Sequence, residues 1–464
     1  MKRWLPWLDQ QRPPSCSVGG WRSFQLGLVF LPTSALIAGL ALLASLTLWR
    51  PASQPRLLSR PLARWLLALG LWMLVTTLAS PVPLEMRLRL FNWLPFFWLL
   101  LAAPPYLATP AARDRFSLVV LVATVPALLV GLAQAVIGFS GPWQALGSLL
   151  IWDLPARFAA QGAGVFPNPN FTAAWYAMAA PLAAARVLTL PSTTGATQRH
   201  ASWTLLLLLA VALVLSGSRT ALSGTLLALL LLSWRHFWKP LLLALASLVS
   251  LVVASLLLPG QSPAGLLAQR LSGGLAAKFM PMVQGAGSTA AEAIASGRDP
   301  YRSELFAQAL QFVQQHPWLG LAESLLRGQP VHQPALLTHT HNVMFQLAIQ
   351  HGIVASLALL AAVAALVIRP WWNVSHLGLR DRGLLAAALG AIWLHSFDIP
   401  SFDSRNNVLG WLLLACCYCL ARPTPTGSGH VASEQFPPKA IASGEITAEE
   451  IAAAKIATTE ITGD

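Results

Sequence analysis

Long apolar runs joined by short polar connections make up most of the chain. Each run is close to the length that crosses about 30 Å of hydrocarbon as a helix. The runs are unbroken rather than alternating, which excludes an outer-membrane barrel. The pattern therefore predicts an all-α fold, that of a polytopic membrane protein. The predicted spans lie at about 62–79, 91–103, 116–138, 171–186, 202–216, 220–234, 240–259, 342–368, 383–396 and 408–420.

The first apolar region, 21–49, is interrupted by Pro32-Thr33-Ser34. A single helix would fit its length. Basic residues flank the region on both sides, however, and the positive-inside rule then favours an even number of crossings. We expect a tight hairpin of two short helices, about twelve spans in all, with both termini in the cytoplasm. The flanking basic residues are Lys2, Arg3, Arg12, Arg22, Arg50, Arg56, Arg60 and Arg64.

Basic residues also assign a side to the other connections. The cytoplasmic connections are predicted to carry Arg113, Arg115, Arg186, Arg199, Arg235, Lys239, Arg369, Arg380 and Arg382. The opposite side carries Arg87, Arg89, Arg157, Arg219 and Arg405. Two connections on that second side, 139–170 and 260–341, are too long to be simple turns, and the longer one has room for helices of its own.

Composition supports a membrane protein and excludes several other classes. Charged residues are 10% of the chain and hydrophobic residues 55%, whereas soluble domains carry about 25% charged residues. A water-soluble enzyme and a disordered protein are therefore excluded, and four cysteines make no disulfide scaffold. The net charge is +13, but the basic residues are scattered through the connections. We expect contact with membrane lipids and no nucleic-acid partner.

Three parts of the chain differ in character. Residues 1–20 lack the apolar core of a cleavable signal peptide and are predicted to be a cytoplasmic segment. Residues 21–421 form the membrane domain, including the large loop 260–341. Residues 422–464 are rich in Pro, Thr, Ser and Gly, followed by glutamates, and we expect a disordered cytoplasmic tail.

Arg219 stands between two predicted spans, in the sequence Ser216-Gly217-Ser218-Arg219-Thr220. It would open a helix, where a cation opposes the positive end of the helix dipole. An anionic ligand would resolve this conflict, because helix N-termini and arginine both bind phosphate. The alternative is an arginine that extends to lipid headgroups.

Arg302 lies near the start of a helix predicted within the large loop. Asp299 and Pro300 suit the N-cap and the first helical position, and the helix should end near Gln315, before Pro317. Arg302 would share its face with apolar residues and therefore needs an anionic partner. That partner is either a ligand or the neighbouring Glu304.

His341 immediately precedes a predicted span, and we place it in the first turn of that helix. The positive end of the dipole favours a neutral imidazole there, as a general base requires. Asn342, Gln346 and Gln350 follow at helical spacing and predict a polar stripe that runs into the bundle.

Two other interpretations of these histidines stay open. His339 and His341 could be a purely structural pair. His332, His339 and His341 could also hold a metal ion, although their spacing matches no tight zinc motif. We expect no metal and no cofactor.

Further polar residues are expected on the same side. Asn168 and Asn170 could hold sugar hydroxyls, or Asn170 could cap the following helix. Asp398 and Asp403 belong to a polar turn between the last two spans, where Asp403 could simply pair with Arg405.

Together these motifs resemble the O-antigen ligase/polymerase superfamily, over roughly residues 62–420. The resemblance rests on the Asn-Pro-Asn element at 168–170, on Ser218-Arg219, and on Arg302 ahead of His-Pro-Trp-Leu-Gly at 316–320. Most specific is His341-Asn342, followed after nine residues by Gly352. The second glycine and the threonines that follow this glycine in the ligases are missing. The turn at 398–407 is similar to the cyanobacterial branch once proposed to transport inorganic carbon.

The resemblance implies a function as well as a fold. It implies a GT-C-like glycosyltransferase of the bacterial inner membrane, metal-independent and inverting, with its active site facing the periplasm. The donor would be a polyprenyl-diphosphate-linked glycan and the acceptor a glycan or lipid hydroxyl, in polymerisation or ligation. Arg219 and Arg302 would bind the donor diphosphate, and His341 would be the general base.

Two other classes of function remain as alternatives. A transporter would need ionisable groups at mid-membrane depth, for which His351 and His395 are the best candidates. A polysaccharide-export partner without catalysis is the third possibility.

Overall fold

The computed structural model describes residues 9–49, 59–80, 87–145, 147, 150–154, 156–232, 302–320, 340–398 and 403–422. For residues 157, 302–305, 307 and 308 it describes the backbone alone. The chain divides into two units, Met1–Ala421 and Arg422–Asp464. All the elements described below belong to the first unit.

The predicted hairpin at 21–49 is present as two helices, α1 (Val18–Phe30) and α2 (Ala35–Thr47). Ser17 caps α1 and Ser34 caps α2, each by accepting a hydrogen bond from a backbone N–H of the first turn. Gly27 lies against Leu42, which lets the two helices approach closely. The break at Pro32 therefore divides the region as expected, whereas the number of crossings stays a prediction.

Helices form nearly all of the remaining described structure. The helices α3 to α12 are Pro61–Ala79, Leu94–Ala102, Pro110–Ile137, Pro169–Leu188, Ala196–Leu215, Arg219–Leu232, Arg302–Gln315, Val343–Trp372, Leu379–Phe397 and Ser404–Leu420. Short 3₁₀ segments lie at Leu88–Asn92, Pro104–Leu107, Ala156–Gln161 and Val374–His376.

The connection between α5 and α6 contains a small antiparallel hairpin that the all-α prediction missed. Its strands are β1 (Trp143–Ala145) and β2 (Leu150–Trp152), with Trp143 opposite Trp152. Aromatic and β-branched residues favour strands. Three residues per strand are too few to show an alternating pattern in the sequence.

Within the described residues, five helices are long and apolar enough to cross a membrane: α3, α5, α6, α7 and α10. Shorter apolar helices include α2 and α8. The protein is therefore a multi-pass membrane protein. The predicted span at 240–259 and most of the loop 260–341 lie outside the described residues, and the count of about twelve spans is not tested.

Helix α6 forms the centre of the bundle and is the most buried of these five helices. Its alanines let neighbouring helices pack closely, as small residues do between membrane helices. Gly383 of α11 lies against Ala185 of α6, and Gly224 of α8 lies against Trp393 of α11. Helix α11 is thus held between α6 and α8, which fixes the position of its C-terminal end.

Buried ion pairs collect at one end of the bundle, which we name the arginine end. Arg113 of α5 makes two hydrogen bonds to Asp381 of α11, of 2.8 and 2.7 Å. Asp114 pairs with Arg186, at 3.4 Å, and with Arg380. These five residues connect the N-termini of α5 and α11 to the C-terminus of α6.

Candidate functional site

The opposite end of the bundle contains a histidine–carboxylate pair, and we name it the histidine end. Nδ1 of His341 lies 3.1 Å from Oδ1 of Asp398. Asp398 is the C-cap of α11, where its N–H donates to Leu394. The His341 side chain is 28% exposed and that of Asp398 is 11% exposed. The pair is therefore shielded on one side and accessible on the other.

The expectation that His341 lies in the first turn of α10 is wrong. The helix begins at Val343, and Asn342 is the N-cap, since its Oδ1 accepts from the N–H groups of Met344 and Phe345. Asparagine is among the strongest N-capping residues, so the helix starts one position later. His341 precedes the cap with φ of +51°. Its Nδ1 faces the Asp398 carboxyl group.

Three hydrogen bonds hold the turn that carries His341. Thr340 donates its N–H to Oε1 of Gln346, at 3.0 Å, and its hydroxyl to the carbonyl of Asn342, at 2.8 Å. Asn342 Nδ2 donates to the carbonyl of Ser396, at 2.8 Å. A non-glycine residue at positive φ costs about 1–3 kcal/mol and persists only when its surroundings hold it. Here the surroundings are the start of α10 and the end of α11.

This geometry suits proton abstraction. A carboxylate that accepts from Nδ1–H fixes the imidazole tautomer and leaves Nε2 as the basic nitrogen. The same carboxylate stabilises the imidazolium that forms when Nε2 takes a proton. The pair can therefore act as a general base with its orienting group.

Arg219 is the first residue of α8, and its side chain is exposed. One turn further along, Ser223 accepts a hydrogen bond from Trp393 Nε1, at 2.9 Å. Trp393 in turn lies little more than one turn before Asp398. Because α8 begins and α11 ends just beyond this bond, Arg219 belongs to the histidine end.

Arg302 is the first residue of α9, and the structure describes its backbone. Helix α9 packs beside the start of α10, with the rings of Phe306 and Phe345 5.5 Å apart. Arg302 precedes Phe306 by one turn, and His341 precedes Phe345 by the same number of residues. The backbone of Arg302 thus also lies at the histidine end. The predicted end of this helix at Gln315 is confirmed, and its predicted cap at Asp299 lies outside the described residues.

The two asparagines have local structural roles. Asn168, not Asn170, caps α6, so the expected cap was wrong by two positions: Asn168 Oδ1 accepts from the N–H of Asn170 at 2.8 Å. Pro169 suits the first helical position, and the chain therefore enters the helix there. Asn170 lies within the first turn.

Asp403 is engaged by Arg405, as the sequence suggested. Their side chains form an ion pair of 2.6 Å and are nearly buried. Arg405 also donates to the carbonyl of Val165, at 2.9 Å, and stacks on the ring of Phe166 at 4.0 Å. Asp403 caps α12. This pair fastens the start of α12 to the segment before α6.

Of the three histidines considered as metal ligands, the structure describes only His341. His332 and His339 lie outside the described residues. Among those that are described, no group of three His, Cys, Asp or Glu side chains could hold a metal ion.

The pairing of His341 with Asp398 was not apparent from the sequence. The polar turn that contains Asp398 was assigned to the same side as His341, which is the signal that could have suggested it. The two residues are 57 positions apart, and their spacing follows no local periodicity. Their proximity depends on how α11 packs.

Residues 204–360 match the sequence model of the family described as O-Antigen ligase. The predicted resemblance to the O-antigen ligase superfamily is confirmed. The ligase-like segment contains Arg219, Arg302, His341 and Gly352, while Asp398 lies beyond it. No curated protein matches the chain.

Proposed function

We propose that the protein moves a glycan from a polyprenyl-diphosphate donor to a hydroxyl acceptor, in polymerisation or ligation of a surface polysaccharide. The observation that carries this proposal is the His341–Asp398 pair, which lies at the end of the bundle that also carries Arg219 and the backbone of Arg302. The family match supports the same class of reaction.

In the proposed reaction, Nε2 of His341 takes the proton of the acceptor hydroxyl. The hydroxyl oxygen attacks the anomeric carbon of the donor sugar, and the bond from that carbon to the phosphate oxygen breaks. The polyprenyl diphosphate leaves with the bonding electrons, and the configuration inverts. Arg219 and Arg302 offset the charge that develops on the leaving group. Asp398 stabilises the imidazolium until its proton is lost.

The proposed site uses arginines where other transferases use a divalent cation. Chelation of divalent ions should therefore leave transfer unchanged. Loss of transfer with EDTA, reversed by adding a divalent ion, would contradict this part of the proposal and return attention to His332, His339 and His341.

The proposal includes an orientation in the bacterial inner membrane. The histidine end would face the periplasm, with about twelve spans, the large loop 260–341 on that side and both termini in the cytoplasm. In support, Arg113, Arg186 and Arg380 share one end, while Arg219 and Arg405 lie at the other. An impermeant thiol reagent should label a cysteine placed at Arg219 in intact cells. Labelling only after the inner membrane is opened would reverse the orientation.

The same structure favours a transferase over a transporter. Of the two histidines that a transporter could use, His351 lies beside a neutral group, with its Nδ1 2.8 Å from Thr76 Oγ1. His395 lies in the last turn of α11, where its Nδ1 is 2.7 Å from the carbonyl of Ala391 and Asp398 is a charged neighbour. A proton-coupled pathway uses ionisable groups that pair with one another at mid-membrane depth. His341, His395 and Asp398 instead lie together at the end of the bundle.

The direct test replaces the pair in a strain that lacks the chromosomal copy of the gene. His341→Ala and Asp398→Asn should either shorten the surface polysaccharide or prevent its attachment, while the level of the protein stays normal. His376→Ala is a matched control, because this exposed histidine follows α10 at its other end. A parental polysaccharide profile in His341→Ala would overturn the proposed function.

A further inference from the structure

Helix α10 is interrupted at Gly352, which adopts φ of +82° and ψ of 167°. The sequence predicted one continuous span here. The structure instead has a first part, Val343–His351, and a second part, Ile353–Trp372. The second part alone is about 30 Å long at 1.5 Å per residue, which is enough to cross the hydrocarbon. The first part does not prolong this span but folds back beside its start, since the hydroxyl of Ser356, four residues after Gly352, donates to the carbonyl of Met344, eight residues before it.

The turn after α9 enters this break. The N–H of Ile353 donates to the carbonyl of Pro317, at 2.8 Å. A Cβ at Gly352 would lie 1.8 Å from the carbonyl oxygen of Trp318, and a Cβ at Gly320 would lie 2.4 Å from the carbonyl oxygen of Ile349. Both glycines have positive φ. Only glycine fits at either position, because each combines that backbone conformation with backbone atoms in contact.

Helix α9 packs along the whole first part of α10 in the same direction. Near the start, the rings of Phe306 and Phe345 are in contact. Further along, Ala309 and Val313 are buried in one cluster with Ala348 and Ile349. The turn at the end of α9 then fills the break. Helix α9 and the first part of α10 therefore form one unit, with Arg302 and His341 at the same end of it.

The second part of α10 is held by a different helix. Trp72 and Trp65 of α3 donate their indole N–H groups to the carbonyls of His351 and Ala358, each at 2.9 Å. Ser356 donates back across the break to the carbonyl of Met344, at 3.0 Å. The break thus joins a unit that carries candidate site residues to a span fixed in the bundle.

We propose that the contact of Pro317, Trp318 and Gly320 with Gly352 and Ile353, here named the glycine clamp, positions His341 for the reaction. This inference rests on the proposed function. The first part of α10 is about 14 Å long, so a change of about 10° at the break would move His341 by roughly 2 Å. Misplacement of a reacting group by about 1 Å can slow a reaction by about a hundredfold. The clamp residues are positioning residues, since they act through His341.

The principal test is Gly352→Ala, with Gly138→Ala as a control for a second glycine at positive φ. Gly138 has φ of +78° and ψ of 17°, and nothing lies within 4 Å of a Cβ built there. Gly352→Ala should reduce transfer by about a hundredfold, whereas Gly138→Ala should leave it near the parental level. Undecaprenyl diphosphate, used as a probe with purified protein in nanodiscs, should bind both variants as it binds the parent. An equal loss of transfer in both variants would overturn the proposal.

A second variant disturbs the clamp without adding an atom at Gly352. Ile353→Pro replaces the N–H that donates to Pro317 with a ring carbon, which displaces the Pro317 carbonyl, and proline itself is tolerated at the first position of a helix. Its transfer should lie between those of the parent and Gly352→Ala, with probe binding unchanged. Transfer at the parental rate in a folded Ile353→Pro variant would show that the contact between Ile353 and Pro317 does not position His341.

A distance measurement tests the geometry independently of activity. Spin labels at Leu310 of α9 and Leu357 in the second part of α10, both exposed, span the clamp. The distance distribution should be narrow in the parent and Gly138→Ala, and broad or shifted in Gly352→Ala. An unchanged distance distribution in Gly352→Ala would overturn the proposal. A changed distribution in a variant that transfers glycan at the parental rate would overturn it as well. Normal transfer in His341→Ala would instead overturn the proposed function and leave the distance result standing.

Discussion

The two ends of the bundle use polar side chains in different ways. At the arginine end, guanidinium and carboxyl groups meet each other across α5, α6 and α11, and Arg113 and Asp381 are nearly buried. At the histidine end, Asn342 and Thr340 bond to the backbone, and the imidazole of His341 is partly exposed beside the buried carboxyl group of Asp398. Buried pairs of opposite charge hold helices together, whereas an accessible imidazole held by a buried carboxylate is suited to chemistry. This comparison predicts which substitutions change activity and which change stability.

The largest effect is expected from His341→Ala. Loss of a general base lowers a rate by about 10²–10⁴-fold. Stability should change little, since this side chain is partly exposed and lies before the helix cap. Transfer measured in membranes, thermal unfolding in detergent and binding of undecaprenyl diphosphate separate these quantities. A large loss of stability with little loss of transfer would make the histidine end structural like the arginine end.

Asp381→Asn should show the opposite pattern. It leaves the nearly buried Arg113 guanidinium without its carboxylate, and breaking a buried ion pair costs about 3–5 kcal/mol. Thermal unfolding in detergent should therefore show a large loss of stability. Transfer per folded molecule should stay at the parental level. If transfer per folded molecule falls as far as in His341→Ala, the two ends are coupled and the comparison does not hold.

Much of the fold could be predicted from the sequence because apolar length and proline breaks are local signals. The hairpin at Pro32 and the end of α9 before Pro317 follow from such signals. The break at Gly352 does not, because an isolated glycine in an apolar run is tolerated within a helix. Its positive φ depends on the turn of α9 that occupies the space beside it. The sequence motif shows a glycine separated from Asn342 by nine residues. It does not show why a glycine is required at that position.

The candidate site was predictable by residue type and only partly by geometry. The sequence indicates Arg219 because a cation opposes the dipole at a helix start, and Arg302 because it shares a helix face with apolar residues. It indicates His341 because an imidazole at a helix start is kept neutral. Helix α10 starts at Val343, one residue after the predicted start at 342, because Asn342 caps the helix instead of belonging to it. The Asp398 partner could not be predicted, because its distance from His341 depends on helix packing. The pairing of Asp403 with Arg405 was predictable, since the two residues are adjacent to one helix start.

Arg405→Lys tests whether a charge at the histidine end can also be purely structural. Lysine keeps the charge but cannot reproduce the planar group that binds Asp403 and the Val165 carbonyl and stacks on Phe166. We expect a loss of about 2 kcal/mol in unfolding free energy with unchanged probe binding. Weaker binding of undecaprenyl diphosphate at unchanged stability would instead assign Arg405 to the donor site.

A smaller effect is expected at the start of α6. Asn168→Ala removes the N-cap and should cost about 1 kcal/mol of stability. Asn170→Ala is the matched control, because Asn170 lies in the same segment and does not cap the helix. Transfer per folded molecule should be parental in both variants. A loss of transfer in either one, without a loss of stability, would favour the alternative that these amides hold sugar hydroxyls.

The smallest effect concerns an exposed ion pair between Asp9, which precedes α1, and Arg22 in the second turn of α1. Asp9 accepts two hydrogen bonds from Arg22, one of them 2.7 Å long, and about a third of each side chain is exposed. The Arg22 hydrogen bond lowers the pKa of Asp9 from its ordinary value. The pair therefore contributes stability above the unfolded-state pKa of Asp9, near 4, and loses it as pH falls further. Solvent screening keeps this contribution small. Asp9→Asn should lower stability by a small amount at pH 7 and by progressively less as the pH falls below about 4, as measured by thermal unfolding. If Asp9→Asn lowers stability at pH 7 as much as Asp381→Asn does, the exposure of an ion pair does not predict how much that pair stabilises this protein.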